Sequence, residues 1–382
     1  MSTTSYWLEE PHGLEAAPPP NEDTGRDGKV DVVVIGGGVT GCSCALTLAT
    51  GGLRVRLHEA REIAGGASGR NGGFALRGGA MPYDEARLTL GRERARALWA
   101  LTERSLARIA ELAGDAFRPV GSLRLAGDAA EAEAIQRELV ALREDGFAGD
   151  WCGELGEPLD RLYAGAAFNP GDGALQPARW VRRLARRAVG AGVEIREHSP
   201  VGLDDLAVPI VVVATDGLTS LLASDLAPII RPVRGQVLVT EPLAERLFMR
   251  PHYARHGYDY WQQLEDGRLV IGGRRDTSFE TEYTATEETT ARIQESLESH
   301  VVELLGRLPR ITHRWAGIWG ETPDRLPLAG RLPGREGIWI AGGYSGHGNV
   351  LGFACGELVA RAILGDRAQD LEVFDPARFA QS

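Results

Sequence analysis

Residues 31–41 constrain this chain most, because they read Asp-Val-Val-Val-Ile-Gly-Gly-Gly-Val-Thr-Gly. The apolar run at 32–35 is typical of a strand buried on both faces of a parallel sheet. Gly36, Gly38 and Gly41 follow with the spacing G-x-G-x-x-G. This spacing predicts a tight turn into a helix whose N-terminal amides face a pyrophosphate.

A second strand, residues 53–58, ends at Glu59. A carboxylate at this place accepts hydrogen bonds from the 2′-hydroxyl of an adenosine ribose and disfavours a 2′-phosphate. A dinucleotide site is therefore predicted by the strand, the glycine turn, the helix and the acid together. A glycine-rich loop at 64–73 follows and supplies Ser68, Arg70 and Asn71. Such a loop can bind a second phosphate and then pass beneath a flat ring.

Together these features resemble the FAD-dependent D-amino-acid oxidase superfamily. The resemblance rests on the glycine turn, on Glu59 followed by Arg61, on the Ser-Gly-Arg-Asn-Gly-Gly loop and on the block Ala-Gly-Gly-Tyr-Ser-Gly-His-Gly at 341–348. It is closest to the glycine oxidase, sarcosine oxidase and gamma-glutamylputrescine oxidase branches, and it covers nearly the whole chain from about residue 30.

The resemblance implies FAD and oxidation of the carbon–nitrogen bond of an amine or amino acid. We expect the FAD to be non-covalent, because no cysteine lies between Cys152 and Cys355, where the family's cysteine linkage falls, and no histidine lies beside 68–73. Hydride transfer to the flavin gives an imine that hydrolyses, with oxygen as the expected acceptor and hydrogen peroxide as product. The alternatives are an amine dehydrogenase that passes electrons to a quinone or carrier, and a flavin-binding subunit of a complex. The implied cofactor-binding residues are Gly36, Gly38, Gly41, Glu59, Arg61, Ser68, Arg70, Asn71, Gly73, Thr215, Gly343, Gly346, His347, Gly348 and Asn349.

The implied fold is α/β, a Rossmann-like FAD-binding domain with an interleaved antiparallel-sheet substrate domain. We assign 1–28 to an irregular lead-in that contains three consecutive prolines. The FAD-binding domain is predicted at 29–82, 160–225 and 322–382. The substrate domain is predicted at 83–159 and 226–321.

The substrate pocket is expected among the strands of that second domain. Its predicted lining is Tyr258, Tyr260, Arg274, Trp315 and Trp319, with Tyr260, Arg314 and His347 expected to act in catalysis. Strand alternation would send Tyr258 and Tyr260 to the same face. An arginine fork at Arg274 or Arg314 would hold a carboxylate, although a surface ion pair is the alternative for each.

Composition limits the partners. The net charge of −11 argues against nucleic acid, because phosphate binding needs a basic face. Lys29 is the only lysine and is poorly placed to activate oxygen beside a flavin. Cys42 and Cys44 predict small buried thiols, and no metal site is expected. No leader or membrane-length apolar run is found, so we expect a cytoplasmic protein without a membrane span and leave the oligomeric state open.

Three local expectations depend on pattern alone. Residues 83–113 predict one amphipathic helix. Residues 169–177 predict a turn-rich link before a helix that Pro177 opens. Asp216 stands in the family's Ala-Thr-Gly turn beside the cofactor, where a small residue is commoner, and this puts the details of the turn in question.

Overall fold

The structure is a computed structural model that describes residues 4–11, 30–366 and 369–380. These residues cluster into two compact units. Unit 1 holds 4–9, 70–176 and 233–318, and unit 2 holds 10–11, 30–69, 177–232, 319–366 and 369–380. The three prolines of the predicted lead-in and Lys29 lie outside the described residues.

Among the described residues, unit 2 is built on a six-stranded sheet. Its strands are β1 Val32–Ile35, β2 Val55–His58, β9 Glu194–Arg196, β10 Ile210–Val213, β16 Leu328–Arg331 and β17 Ile338–Gly342. They lie in the order β16-β17-β10-β1-β2-β9, all parallel except β16. All four residues of β1 are buried, as expected for a strand covered on both faces.

Three helices pack beside this sheet. They are α1 Val39–Thr50, α5 Pro177–Gly190 and α8 Gly348–Ile363, and α1 contacts both of the others. Pro177 opens α5 as predicted, since a first-turn proline loses no helical hydrogen bond. Cys42 and Cys44 on α1 are fully buried, which confirms the prediction of small buried thiols.

The described part of unit 1 holds an eight-stranded sheet in the order β15-β11-β14-β13-β12-β5-β7-β6 and a three-stranded sheet in the order β3-β8-β4. The strands are β3 Phe74–Ala75, β4 Phe117–Arg118, β5 Ser122–Leu125, β6 Asp150–Cys152, β7 Ala166–Asn169, β8 Gly173–Leu175, β11 Arg231–Thr240, β12 His252–Ala254, β13 Asp259–Gln263, β14 Leu269–Gly273 and β15 Ile311–Glu321. Pairing from β11 through β14 to β13 is antiparallel, as predicted, and β12 adds a further antiparallel partner to β13.

The helices of unit 1 are α2 Tyr83–Leu90, α3 Arg92–Ala113, α4 Ala129–Glu144, α6 Phe279–Glu282 and α7 Ala291–Leu305. The prediction of one helix across 83–113 was wrong, because Gly91 separates α2 from α3. Its φ of 83° lies in the left-handed region, which glycine enters without a Cβ clash and which a right-handed helix cannot contain.

The predicted turn-rich link at 169–177 was also wrong in part, because it contains β8. This strand pairs with β3 on one side and β4 on the other. Both partners are distant in sequence, so three residues without a local signal become a strand through tertiary pairing alone. Residues 70–82 and 160–176, which contain β3, β7 and β8, cluster in unit 1 rather than with the other segments of the predicted FAD-binding domain.

Alternation along β13 sorts its side chains onto the two faces of the large sheet. Trp261 is fully buried in a core cluster with Leu297 and Val301 of α7. Tyr260 and Gln262 therefore point to the opposite face. No helix in the described ranges is long and apolar enough to cross a membrane.

The beginning of the described chain docks on unit 1 through Trp7, whose side chain is 1% exposed. Its indole Nε1 donates to the carbonyl oxygen of Asn71 at 2.7 Å, and its own carbonyl accepts from Nε2 of Gln176 at 3.2 Å. The neighbouring Tyr6 hydroxyl reaches Asp266 at 3.1 Å on the surface. Trp7 is thus a core residue despite its place near the N-terminus.

We predict that Trp7→Ala lowers the free energy of unfolding by about 3–5 kcal/mol, because it leaves a cavity the size of an indole. Urea denaturation followed by circular dichroism measures this change. Tyr6→Phe is the matched control and should shift stability by less than about 0.5 kcal/mol, since it removes one exposed hydrogen bond. Equal stability of Trp7→Ala and wild type would show that the segment does not belong to the core.

Candidate functional site

The glycine turn of unit 2 joins β1 to α1, and neighbouring atoms lie too close to this turn for residues larger than glycine. Gly36 has a φ of 112°, and a Cβ there would lie 2.5 Å from the carbonyl oxygen of Ala214. A Cβ at Gly41 would overlap the carbonyl oxygen of Gly36, and one at Gly38 would lie 2.9 Å from Oγ of Ser68. The backbone therefore forms a cradle that only glycine allows, next to the N-terminus of α1.

Glu59 stabilises this cradle directly. Its Oε2 accepts the backbone N–H of Gly37 at 2.6 Å, and its Oε1 accepts that of Arg61 at 2.8 Å. A carboxylate oxygen has a second lone pair, so both oxygens keep an acceptor site for ribose hydroxyls. Glu59 thus combines a structural bond to the turn with the acid that the dinucleotide fingerprint requires.

Ser68 and Arg61 lie around the same turn. Ser68 Oγ accepts the backbone N–H of Val39 at 2.9 Å and so satisfies one amide at the start of α1. Arg61 donates from its guanidinium to the carbonyl of Gly65 at 3.2 Å, within the glycine-rich loop. Both predicted cofactor residues therefore lie within unit 2, close to the start of α1 or to the loop that follows β2.

The C-terminal block forms a loop with unusual backbone geometry before α8. Gly343, Ser345 and Gly346 all have positive φ, at 78°, 50° and 90°. His347 is the N-cap of α8, and Gly348 and Asn349 are its first two residues. The N-terminal end of this helix carries the positive end of its dipole, which suits the negative charge of a reduced flavin.

Other contacts tie this loop to the rest of unit 2. The Tyr344 hydroxyl lies 2.9 Å from Oγ1 of Thr40 on α1, and the backbone N–H of Ser345 donates to the carbonyl of Gly320 at 2.8 Å. Thr215 lies in the turn after β10, with its Oγ1 3.2 Å from that of Thr219. Unit 2 therefore holds all the predicted cofactor residues outside 70–73, and the glycine-only cradle fits an FAD pyrophosphate.

Arg70, Asn71 and Gly73 belong to unit 1. Three side chains hold successive carbonyls of this loop: Trp315 Nε1 binds that of Arg70 at 2.8 Å, Trp7 Nε1 that of Asn71 at 2.7 Å and Gln262 Nε2 that of Gly72 at 2.6 Å. The Asn71 Oδ1 accepts the N–H of Gly73 at 2.8 Å, which closes a local turn. The loop conformation is therefore set by tryptophan and glutamine side chains rather than by glycine alone.

Tyr260 lies against this loop. A Cβ at Gly72 would lie 2.8 Å from its ring, and its ring meets that of Phe74 edge to face, with centroids 5.8 Å apart. Burial raises the pKa of Tyr260 to about 12, although the nearby Arg275 opposes the rise. The phenol is therefore neutral at ordinary pH and can donate a hydrogen bond or form a wall, but cannot serve as a base.

Tyr258 departs from the predicted alternation because it precedes β13. Tyr258 is the C-cap of a short 3-10 turn, and its own φ and ψ are helical rather than extended. Its ring meets Phe279 edge to face at 5.6 Å, and the guanidinium carbon of Arg275 lies 4.7 Å from its centroid. Strand alternation therefore does not decide the direction of Tyr258. Arg275 is a cation beside Tyr258 that no sequence pattern indicated.

Arg274 and Arg314, which were predicted to hold a carboxylate, both form ion pairs within unit 1. Arg274 Nε lies 2.8 Å from Asp259 Oδ1, and its NH2 contacts His300 and lies 3.1 Å from Glu303. A substrate carboxylate would have to displace this set of partners. The left-handed φ of 61° at Arg274 turns the chain directly after β14.

Arg314 points to the face of the large sheet that α7 covers. Its guanidinium donates to Gln294 at 2.8 Å and forms an ion pair with Glu298, both on α7. Because α7 covers the face that carries Trp261, Arg314 is opposite Tyr260. Strand alternation gives two possible directions, and the sequence alone could not decide which face α7 would cover.

Trp315 and Trp319 were both predicted to line the substrate pocket, and they have different surroundings in the structure. Trp315 is fully buried, and its indole N–H donates to the carbonyl oxygen of Arg70. Trp319 is half-buried near the end of β15, where its backbone lies within 3 Å of the position that a Cβ on Gly217 would occupy. Trp315 therefore supports a loop, and the role of Trp319 stays a prediction.

We predict that Glu59→Ala yields a folded protein depleted of FAD, because it removes both the ribose acceptor and the bond to Gly37. FAD content per chain after purification, read from the visible absorbance, measures this. Glu194→Ala is the matched control, since Glu194 pairs with Arg56 at 2.7 Å on the same sheet, away from the glycine turn. Full FAD content in Glu59→Ala would remove Glu59 from the site.

We predict that Arg314→Ala costs only about 1 kcal/mol of stability, the order expected for a partly exposed ion pair. The ratio of kcat/KM for an amino acid to that for its decarboxylated amine should stay as in wild type. Arg275→Ala is the comparison and should lower that ratio. A fall in Arg314→Ala as large as in Arg275→Ala would restore the original assignment.

Comparison with known proteins agrees with this geometry. A family described as FAD dependent oxidoreductase matches residues 31–362. A probable oxidoreductase OrdL of Rhizobium meliloti (strain 1021) is 29% identical over 368 residues, which cover 88% of this chain and 83% of the relative. The gamma-glutamylputrescine oxidoreductase of Escherichia coli (strain K12) is 28% identical over 386 residues, covering 88% and 84%.

Among solved structures, L-proline dehydrogenase from P. horikoshii superposes with a TM-score of 0.76. It is 23% identical and covers 92% of this chain and 98% of its own. The likeness confirms the predicted fold class, a Rossmann-like sheet with an interleaved antiparallel sheet.

Proposed function

Since the chain belongs to the D-amino-acid oxidase family of FAD-dependent oxidoreductases, we propose that it oxidises a carbon–nitrogen bond of an amine or amino acid, with oxygen as the electron acceptor. The substrate class is supported by a relative that is named for gamma-glutamylputrescine and matches over most of its length. Oxygen as acceptor is supported by the sequence resemblance to oxidase branches of the family.

The glycine-only cradle of unit 2 is the observation that carries the proposal. We propose that the turn at Gly36 and the carboxylate of Glu59 hold the adenosine half of FAD, and that the loop before α8 holds its flavin end. Bound FAD supplies the chemistry, because it accepts a hydride from the carbon that bears the nitrogen. The amides and dipole at the start of α8 would stabilise negative charge that develops there.

The residues of unit 1 would orient the substrate. Tyr260 is neutral at ordinary pH, so we propose that it is a hydrogen-bonding wall that takes no proton in the reaction. Arg275 is the cation that lies near both Tyr258 and Tyr260, so we propose that it, rather than Arg274 or Arg314, attracts a substrate carboxylate if the substrate carries one.

A titration without oxygen tests this function. The purified protein should show the absorbance of oxidised flavin, and adding amines, D- and L-amino acids, N-methylated amino acids and acylated polyamines in turn should bleach it with one class. Admitting air should then restore the colour within seconds and produce hydrogen peroxide, because an oxidase returns its electrons to oxygen.

Each other outcome supports an alternative. A bleached protein that regains colour only with a quinone is a dehydrogenase. A yellow protein that no compound in the panel bleaches would contradict the amine assignment and favour a flavin that serves a structural role in a larger complex. A colourless protein that takes up no added FAD would overturn the proposal entirely.

A further inference from the structure

Asp216 is the one residue of the turn after β10 that departs from the family resemblance, and its backbone is unusual. Its φ of 46° is in the left-handed region, where a residue other than glycine is uncommon and where aspartate and asparagine are tolerated best. Asp216 also begins the 3-10 helix Asp216–Leu221. A strained position held by an ionisable residue at this place requires an explanation.

The carboxylate of Asp216 binds backbone rather than a cation. Its Oδ1 accepts the N–H of Gly343 at 2.8 Å, and its Oδ2 accepts the N–H of Gly320 at 3.1 Å. The N–H groups of Tyr344 and Gly217 also stabilise it. Although the residue is only partly buried, burial of its carboxylate raises the pKa of Asp216, and these donors oppose that rise.

These bonds join three segments that are distant in sequence. Gly320 donates its N–H to Asp216 and accepts the N–H of Ser345 at 2.8 Å on its carbonyl. Ser345 Oγ in turn accepts the N–H of Thr322 at 3.2 Å. Asp216, the end of β15 and the loop before α8 therefore form one closed set of contacts, within which Gly343 and Ser345 keep their left-handed conformations.

We propose that Asp216 is a positioning residue for FAD, which fixes the loop 343–347 and the first amides of α8 in the conformation that binds the flavin. This inference rests on the proposed function of that loop. A carboxylate suits the task because its two oxygens accept from donors on two segments at once.

Asp216→Asn is the sharpest test, because asparagine keeps the left-handed backbone but turns one acceptor into a donor that faces an N–H group. The FAD dissociation constant, from quenching of flavin fluorescence on titration of the apoprotein, should rise about 10-fold or more. The visible flavin band should also change in position or shape at saturating FAD. Circular dichroism of the apoprotein at the same temperature confirms that it is folded.

Asp225→Asn is the matched control. Asp225 lies on a neighbouring 3-10 turn, where its carboxylate pairs with Arg335 at 2.6 Å on the surface. This variant should keep the wild-type dissociation constant and flavin band. A loss of FAD affinity in both variants would indicate an effect of the protein's net charge and would overturn the assignment to Asp216.

The two proposals fail in different ways. Wild-type protein that binds no FAD would refute the proposed function, whereas wild-type affinity and spectrum in Asp216→Asn would refute only the role of Asp216. If Asp216→Asn does not fold, Ser345→Ala replaces it, since this change removes another anchor of the same loop. A dissociation constant in Ser345→Ala equal to that of wild type would then overturn the proposal.

Discussion

The close approach between the start of α1 and the end of β1 is the constraint on which the rest of unit 2 depends. The carbonyl oxygen of Gly36 occupies the space that any side chain at position 41 would need. This contact aims the N-terminus of α1 at the end of the strand. Since α1 packs on both α5 and α8, its placement also determines where the C-terminal helix can lie. The carbonyl oxygen of Gly36 therefore limits the arrangement of three helices and of the sheet beside them.

Carboxylates that accept backbone N–H groups hold the loops in both units. Glu59 binds Gly37, Glu197 binds the N–H of Ile63 at 2.6 Å, and Asp216 binds Gly343. In unit 1 the fully buried environment of Asp172 raises its pKa to about 6, while it accepts from Ser122 and from the N–H of Arg77 at 2.8 Å. A glycine-rich chain needs such anchors, because glycine loses the most conformational entropy on folding and offers no side chain to pack.

The sequence predicted the elements of unit 2 well because their signals are local. An apolar strand, a glycine turn, an acid at its fixed distance and a proline at the first helical position each report on a few neighbouring residues. Unit 1 was harder. Residues 83–113 read as helix on both sides of Gly91, so the pattern does not show the break that its positive φ makes. The strand β8 forms only because β3 and β4 flank it. The direction of Arg314 was open for a third reason, because alternation defines two faces of a sheet without saying which one α7 covers.

By itself the sequence identified the family through its resemblance. It also determined the dinucleotide class of the cofactor and the place of the glycine cradle, since backbone sterics and the chemistry of a dinucleotide leave few residue types that fit. Only the tertiary structure decided which long side chains meet. It placed Arg314 against α7 and Arg275 beside Tyr258, used Trp7 and Trp315 to hold successive carbonyls of a loop, and directed the carboxylate of Asp216 to amides more than 100 positions away. Such contacts depend on distances between segments, and no local pattern encodes those distances before the chain has folded.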